Sequence, residues 1–435
     1  MKRSGNMSES NPFDNPSLDP RRAERVVSIH YYGRSGSIFL QSLLDGHPDV
    51  LTFPANYLGG FYSFWNEYGD RSPLHIVKAF LHHYEVLFDP TSTEEVFDVG
   101  PYAGQEYDFD KMGPNHDEAL GVDRERFRDI LLAKCLIEVK DFENGRLERK
   151  FFLQALHVAY AEALGRDLTG RQPLIVFQAH TPHIDVIEML FADFVPKIRF
   201  LHSVRDPINT MASWFNEMMR FLDDPPLVLP RRTLGRSIDH AKPILSQHLN
   251  KDIIDQRLET DPDTQRAIEW VAENSRAVRL EDLHTKPRET LEKICAWLEL
   301  DWHDCLLEST FDGKLWHWST GGRTVSGFQT ATIKQQHSDA VSWYDRLRLR
   351  FFFADKYDAW DYPLAPWYRW AVLRVLSFGL WFLPFRFEIS LWRRRKPKTL
   401  DDWRQVFLYY RDMRQNIFSR WWSEFRKPIA LIKRL

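Results

Sequence analysis

Cysteine is scarce in this 435-residue chain: Cys135, Cys295 and Cys305 are the whole set, an odd number without metal-ligand spacing. That argues against a disulfide framework and a cysteine-built metal centre, and it suits a reducing compartment, so the cytoplasm is the expected location. Long apolar runs are missing too. The longest near the C-terminus, Val375 to Phe385, covers 11 residues between Arg374 and Arg386, against the roughly 20 that a bilayer-crossing helix needs. The segment from Met1 to Arg22, rich in Ser, Asn, Pro and charge, has no apolar stretch fit for a signal peptide and reads as a disordered leader, residues 1–22. An excess of one charge sign is also lacking: 58 Lys/Arg stand against 61 Asp/Glu, a formal −3, which removes any global argument for nucleic acid as a partner. What is present is 43% hydrophobic and 27% charged residues with 20 Gly and 24 Pro, the balance of a folded chain long enough for a sizeable core.

Charge and aromatics are unevenly spread. Residues 361–435 hold 16 Lys/Arg against 6 Asp/Glu and 7 of the 16 Trp, while the remainder of the chain is net acidic. A boundary falls near Ala359–Pro366, where Asp361, Pro363 and Pro366 break any helix. Before it, short apolar runs at Arg25–His30, Leu174–Phe177, Lys197–His202 and Ala277–Leu280 alternate with helical-length amphipathic stretches such as Pro207–Phe221 and Pro287–Leu298. This pattern predicts an α/β domain with a central parallel sheet over residues 23–358. The aromatic, Asp/Glu-rich segment 57–149 is an insertion that either shapes an acceptor pocket or covers the sheet as a plain helical layer. Residues 359–435 form a basic, Trp-rich, mainly helical extension.

Two runs carry chemistry. In Val26-Val27-Ser28-Ile29-His30-Tyr31-Tyr32-Gly33-Arg34-Ser35-Gly36-Ser37-Ile38, a strand enters a Gly/Ser turn with one cation and an amphipathic helix follows at once. Turn amides and the positive end of that helix can converge on a phosphate-sized anion, with hydroxyls and a guanidinium completing the site. It is not a Walker A loop, because GxxxxGK[ST] is absent. The second run, Lys197 to Phe215, is again a strand, then Arg205-Asp206-Pro207, then a helix with Ser213 eight residues after Arg205. An N-capping Asp206-Pro207 accounts for the start of that helix but gives no reason for Ser213.

Together these runs resemble the sulfotransferase family that uses 3′-phosphoadenosine 5′-phosphosulfate (PAPS). The resemblance implies a P-loop-like sheet flanked by helices. It implies that Gly33, Arg34, Ser35, Gly36, Ser37 and Ile38 cradle the 5′-phosphosulfate and that Arg205 and Ser213 hold the 3′-phosphate. Ile175 to Pro182 is similar to the family's strand ending in Lys-Thr-His-Leu-Pro, and by position His180 inherits the role of general base. Gln178 stands in place of the Lys of the cytosolic members. Arg279-Leu280-Glu281-Asp282-Leu283 with Pro287 and Thr290-Leu291 resembles the later "R-Y-E-D-L…P…T-L" strand and helix. Gly321 to Phe328 is similar to the late basic loop, which makes Arg323 a further nucleotide contact. After His47-Pro48-Asp49-Val50, where other branches place a catalytic Glu, this chain reads Leu51 to Asn56, which removes the carboxylate competitor.

The resemblance therefore implies sulfuryl transfer from PAPS, with Arg34 stabilising the leaving phosphate and His180 taking the proton of a hydroxyl acceptor, and no metal. The acceptor is expected to be a carbohydrate, lipid-linked glycan or small metabolite. Alternatives for the base are His30, His183 and His202. Alternatives for the function are a nucleotide-dependent kinase on a related scaffold and a non-catalytic nucleotide-binding membrane adaptor. In the tail, Trp367–Phe387 and the later Trp and Arg residues read either as a packed cover or as basic amphipathic helices giving peripheral membrane contact through 367–435.

Overall fold

The computed structural model describes residues 18–31, 33–97, 107–139, 145–180, 184–239, 260–320, 323–333, 340–426 and 431–435. Its centre is a five-stranded parallel sheet of β1 (Arg25–Tyr31), β2 (Val50–Thr52), β3 (Leu174–His180), β4 (Ile198–Val204) and β5 (Ser275–Arg279), in the order β2-β3-β1-β4-β5. β1 lies in the middle, with Val27 opposite both Val176 and Arg199.

Alternation along the strands feeds two cores. Val27, Ile29, Val176, Leu201 and Val278 face one side and pack with helix α1 (Ser37–Asp45) and with Leu291, Ile294 and Leu298 of the helix Pro287–Leu298. Val26, Ile175, Phe177, Ile198 and Phe200 face the other side, against Phe152 and Leu156 of the helix Arg149–Ala163 and Ile187 and Leu190 of the helix Ile184–Phe194. The described part of segment 57–149 adds an aromatic helical layer to this second core, with Phe61, Phe64, Phe80 and Phe127 fully buried.

Residues 1–17 of the expected leader lie outside the described residues, and residues 18–22 depart from the expected disorder. Leu18 is buried, its amide donates to Glu162 Oε1 (2.9 Å), and Lys134 Nζ donates to its carbonyl (3.1 Å). A 3-10 turn, Pro20–Arg22, then leads into β1. β3 and β4 run three and two residues past the apolar runs that announce them, because Gln178 and Ser203 are polar yet buried inside the sheet.

The C-terminal region packs on helix α2 (Pro207–Phe221), which follows β4. Ile208, Met211 and Phe215 share a core with Leu349, Trp360, Phe385, Phe387, Leu391, Met413 and Ile417. The chain end adds to the sheet beside β5: Ala277 N donates to Lys433 O (2.8 Å) and Leu435 N to Ala277 O (3.0 Å). Among the described residues, no helix is long and apolar enough to cross a membrane.

Candidate active site

From β1 the chain turns through α1 towards β2 on one side, and from β4 it turns through α2 towards β5 on the other, so the strand order reverses between β1 and β4. In an open parallel sheet, the crevice at the carboxyl ends of such a pair is where ligands bind. Both candidate anion-binding runs open into it. Residues 33–36 leave β1 there, and Arg205 follows β4 there.

The turn is shaped by backbone conformation. Arg34 (φ 75°) and Gly36 (φ 86°) are both left-handed, a turn conformation in which successive backbone amides can form an anion-binding concavity. Gly36 is the N-cap of α1 and offers no side-chain cap, so the positive end of that helix faces the crevice. Ser203 Oγ of β4 donates to Ser35 O (2.8 Å) and ties the turn to the neighbouring strand. Among the described residues, Ser35 Oγ is buried without a hydrogen-bond partner, as expected of a hydroxyl whose acceptor belongs to a bound anion.

The structure brings Arg34 and Ser213 together. Arg34 Nε donates to Ser213 Oγ at 3.4 Å, and Arg34 Nη2 stands 3.2 Å from Glu217 Oε2. Its guanidinium carbon lies 5.2 Å from the ring centre of Trp318, on the hairpin of β6 (His317–Thr320) and β7 (Arg323–Ser326) that crosses the turn. Arg205 is buried (8% exposed). Burial pulls its guanidinium below the usual value and the like charge of Arg34 adds to this, while the carboxylates of Glu281 and Asp206 oppose it. Two guanidiniums, one hydroxyl and a ring of turn amides in one crevice fit a ligand with separated phosphate groups.

Asp206 caps α2, accepting from Asn209 N (2.9 Å), and also accepts from the Tyr357 hydroxyl (2.6 Å). Glu281 accepts from Asp206 N (3.0 Å) and from the Tyr362 hydroxyl (2.6 Å). Nearby, the ring of His284 stacks on Phe39 at 4.5 Å and accepts from Gln329 N at Nδ1 (3.1 Å), and burial with the Arg205 charge lowers its pKa to about 4.

Gly33, Arg34, Ser35, Gly36, Ser37, Ile38, Arg205 and Ser213 thus all stand at this crevice or at the start of α1. The side chains of His180 and Arg323 lie outside the described residues; their backbones end β3, opposite Tyr31, and begin β7, opposite Thr320. His30 and His202 are buried side by side, ring centres 5.0 Å apart, and burial lowers His202 to about 3 and His30 well below its usual value. Buried imidazoles of that kind are poor proton acceptors near neutral pH. Sequence reasoning passed over Glu217, Trp318, Tyr357 and Tyr362. For Glu217 a signal existed, since it follows Ser213 by four residues and so shares its helix face.

A cavity of about 540 Å³ at the opposite, amino end of the strands is lined by Arg21, Arg25, Lys197 and Arg199 among others. Its cations are already engaged: Arg21 with Glu138, Lys197 with Glu24, and Arg199 with Glu299.

The profile of the sulfotransferase family matches residues 32–304, more than half of the chain. Similar solved structures include the sulfotransferase domain of the Synechococcus PCC 7002 olefin synthase, at 18% identity over 78% of this chain and 95% of that one, with a TM-score of 0.37. The sulfotransferase domain of the curacin biosynthetic pathway matches at 18% identity over 81% and 97%, TM-score 0.34. A Mycobacterium avium sulfotransferase matches at 13% identity over 79% and 78%, TM-score 0.32. No curated protein matches the chain. With its family profile running from the turn after β1 to beyond the helix Pro287–Leu298, the chain belongs to the sulfotransferase family.

Proposed function

We propose that this chain transfers a sulfuryl group from PAPS to a hydroxyl acceptor. The observation that carries the reading is the meeting of the two anion-binding runs in one crevice, with Arg34 Nε 3.4 Å from Ser213 Oγ and Arg205 beside them. PAPS supplies the activated sulfuryl group. The 33–36 turn and the positive end of α1 hold the phosphosulfate end, and Arg205 with Ser213 takes the 3′-phosphate through charge-assisted hydrogen bonds.

The residues then divide the work by charge. Sulfuryl transfer, like phosphoryl transfer, spreads charge over oxygens with nucleophile and leaving group in line, so positioning and electrostatics supply most of the acceleration. Arg34 and the turn amides meet the negative charge that grows on the leaving phosphate. His180, at the carboxyl end of β3, receives the proton of the acceptor hydroxyl as its oxygen attacks sulfur, a contribution of about 10²–10⁴-fold for a positioned base. The acceptor is a carbohydrate, a lipid-linked glycan or a small hydroxylated metabolite.

Incubation with ³⁵S-labelled PAPS and fractionated host extracts tests the reading and identifies the acceptor. Calorimetry with 3′-phosphoadenosine 5′-phosphate and ATP tests its base. The expected result is clear preference for the 3′-phosphorylated nucleotide; equal affinity for ATP would overturn the assignment.

A further inference from the structure

The helix Ala371–Gly379 packs Leu373 and Ser377 inward and leaves further aliphatic side chains outward. Val372, Val375 and Leu376 face solvent (69%, 51% and 64% exposed), while Ser377 on its other side is buried. A helix packed on a protein surface in water carries polar side chains on its outer face. Its one arginine, Arg374, is drawn aside to Asp355 (2.6 Å). Trp370 (62%) precedes the helix and Phe382 (64%) follows it.

This face does not end with the helix. The Tyr410 hydroxyl donates to Phe382 O and Arg414 Nη2 to Leu383 O (3.1 Å), which joins it to the long helix Leu400–Arg426. Trp403 and Phe407 are exposed on the first turns of that helix. Exposed basic residues stand near it in the chain: Arg393 to Lys396 close the helix Arg386–Arg395, and Arg404 and Arg411 lie on the long helix.

We propose that this face docks the protein on an anionic lipid membrane, with Trp370, Val372, Val375, Leu376, Phe382 and Phe407 entering the interfacial layer. Exposed apolar side chains with Trp among them and Arg or Lys near by are the composition of an interfacial surface. Charge selects lipid over a second copy of the chain. Residues 361–435 carry 16 Lys/Arg against 6 Asp/Glu, so a two-fold pairing of this face with itself would set like charges together. An anionic bilayer offers both an apolar layer and the opposite charge.

The docked face is tied to the crevice. Arg394 donates to Met219 O and to Leu222 O (2.9 Å), and Arg395 pairs with Asp224 (2.7 Å), so the basic cluster clamps the far end of α2, the helix that carries Ser213 and Glu217. Docking stands without the sulfotransferase reading; its consequence, an acceptor held in or on the membrane, rests on it.

The test is co-sedimentation of the full chain with vesicles of phosphatidylcholine alone and of an equimolar phosphatidylcholine–phosphatidylglycerol mixture. The anionic vesicles should carry the protein down at low salt and the zwitterionic ones far less. Val375→Asp/Leu376→Asp should cut partitioning by roughly tenfold or more, since each apolar side chain is worth about that factor on burial. Arg393→Glu/Arg404→Glu should lower it by about fivefold or more per residue and remove the anionic preference. Both variants replace exposed side chains and should keep the wild-type thermal midpoint and nucleotide affinity. Failure of the wild type to bind, equal binding to both vesicles, or unchanged binding by both variants would overturn the proposal. So would a dimer in sedimentation equilibrium that Val375→Asp/Leu376→Asp dissolves, which would make the face a contact between copies.

Discussion

Gly36→Ala is the sharpest probe of the turn after β1, because two separate costs meet at one atom. The residue sits at φ 86°, and left-handed backbone costs an L-residue about 1–2 kcal/mol. A Cβ there would also lie 2.4 Å from Leu280 Cδ1 and 3.1 Å from its Cγ and Cδ2. Leu280 is only 9% exposed, at the head of the short helix after β5, so it cannot swing freely away, and forcing a methyl into such packing costs about 1–3 kcal/mol. The single variant should therefore lose about 2–5 kcal/mol of stability in urea titration. It should also lose affinity for 3′-phosphoadenosine 5′-phosphate, since the shift moves the amides that line the anion site. Leu280→Ala separates the two costs: it removes the overpacking and leaves the conformational part. The double variant should be about 1–3 kcal/mol more stable than the sum of the single effects predicts. Additivity within about 0.5 kcal/mol, or a Gly36→Ala chain as stable as wild type, would refute the packing argument.

Arg34→Ala and Arg205→Ala should each weaken binding of 3′-phosphoadenosine 5′-phosphate by about 1.5–3 kcal/mol in calorimetry, the worth of a charged hydrogen bond. Glu217→Gln should strengthen it by up to about 1 kcal/mol, because the partly exposed Arg34–Glu217 pair competes with the ligand; weaker binding would mean instead that Glu217 holds Arg34 in place. His180→Ala should abolish most turnover at unchanged nucleotide affinity, and the acidic limb of the pH–rate profile should report an imidazole; near-normal turnover would move the base elsewhere. Tyr362→Phe should cost about 1.5–3 kcal/mol of stability, read by urea titration, since its hydroxyl is hydrogen-bonded to the half-buried carboxylate of Glu281. Burial raises Asp45 to about 6 and, with the Asp45 charge helping, Asp312 to about 7, so the folded chain keeps protons that the unfolded chain gives up. That contribution is complete below the ordinary carboxylate range and is lost as pH rises through about 6 to 7. The lowered His157 and His202 act oppositely, losing stability as pH falls, so the informative quantity is wild type minus Asp312→Asn: that difference should decline as pH rises through the same range, and a flat difference would place the proton elsewhere.

The parts legible in the sequence are those whose cause is local. Pro207–Phe221 and Pro287–Leu298 begin and end where the chain reads them, because proline in the first turn fixes where each helix can start. Residues 33–38 declare a turn and a helix start through Gly, Ser and the strand before them. Strand ends were less legible, for the reason that makes them useful: Gln178 and Ser203 are polar residues in a buried sheet, and hydropathy stops short of them. Gln178 Nε2 donates to Gln41 Oε1 on α1, and Ser203 ties down Ser35, so each is a bond between elements that no local pattern encodes. Trp318 reaches Arg34 from more than two hundred residues away, across a hairpin of four-residue strands. β2, with three residues, is too short for any periodicity to mark it.

The region after Ala359 reads as a separate, basic piece of chain, yet the chemistry of Arg205 depends on residues at its threshold. A buried guanidinium needs counter-charge, and Glu281 and Asp206 provide it. The half-buried carboxylates in turn need donors, and burial does push Glu281 upward. Each of the two takes a hydroxyl hydrogen bond of 2.6 Å, Asp206 from Tyr357 and Glu281 from Tyr362, five residues apart across the end of the helix Ala354–Ala359. Arg279 closes the arrangement, its guanidinium carbon 4.2 Å from the Tyr362 ring centre and its Nη1 donating to Asp361 O (2.7 Å). The turn that carries Arg205 is therefore finished by chain some 150 residues downstream. The same stretch begins the polypeptide that carries the outward apolar helix, so the exposed apolar face and the Arg205 turn are joined through one packed core. A difference in charge and composition along a sequence marks a change of surface, and here that change of surface falls within a single packed core.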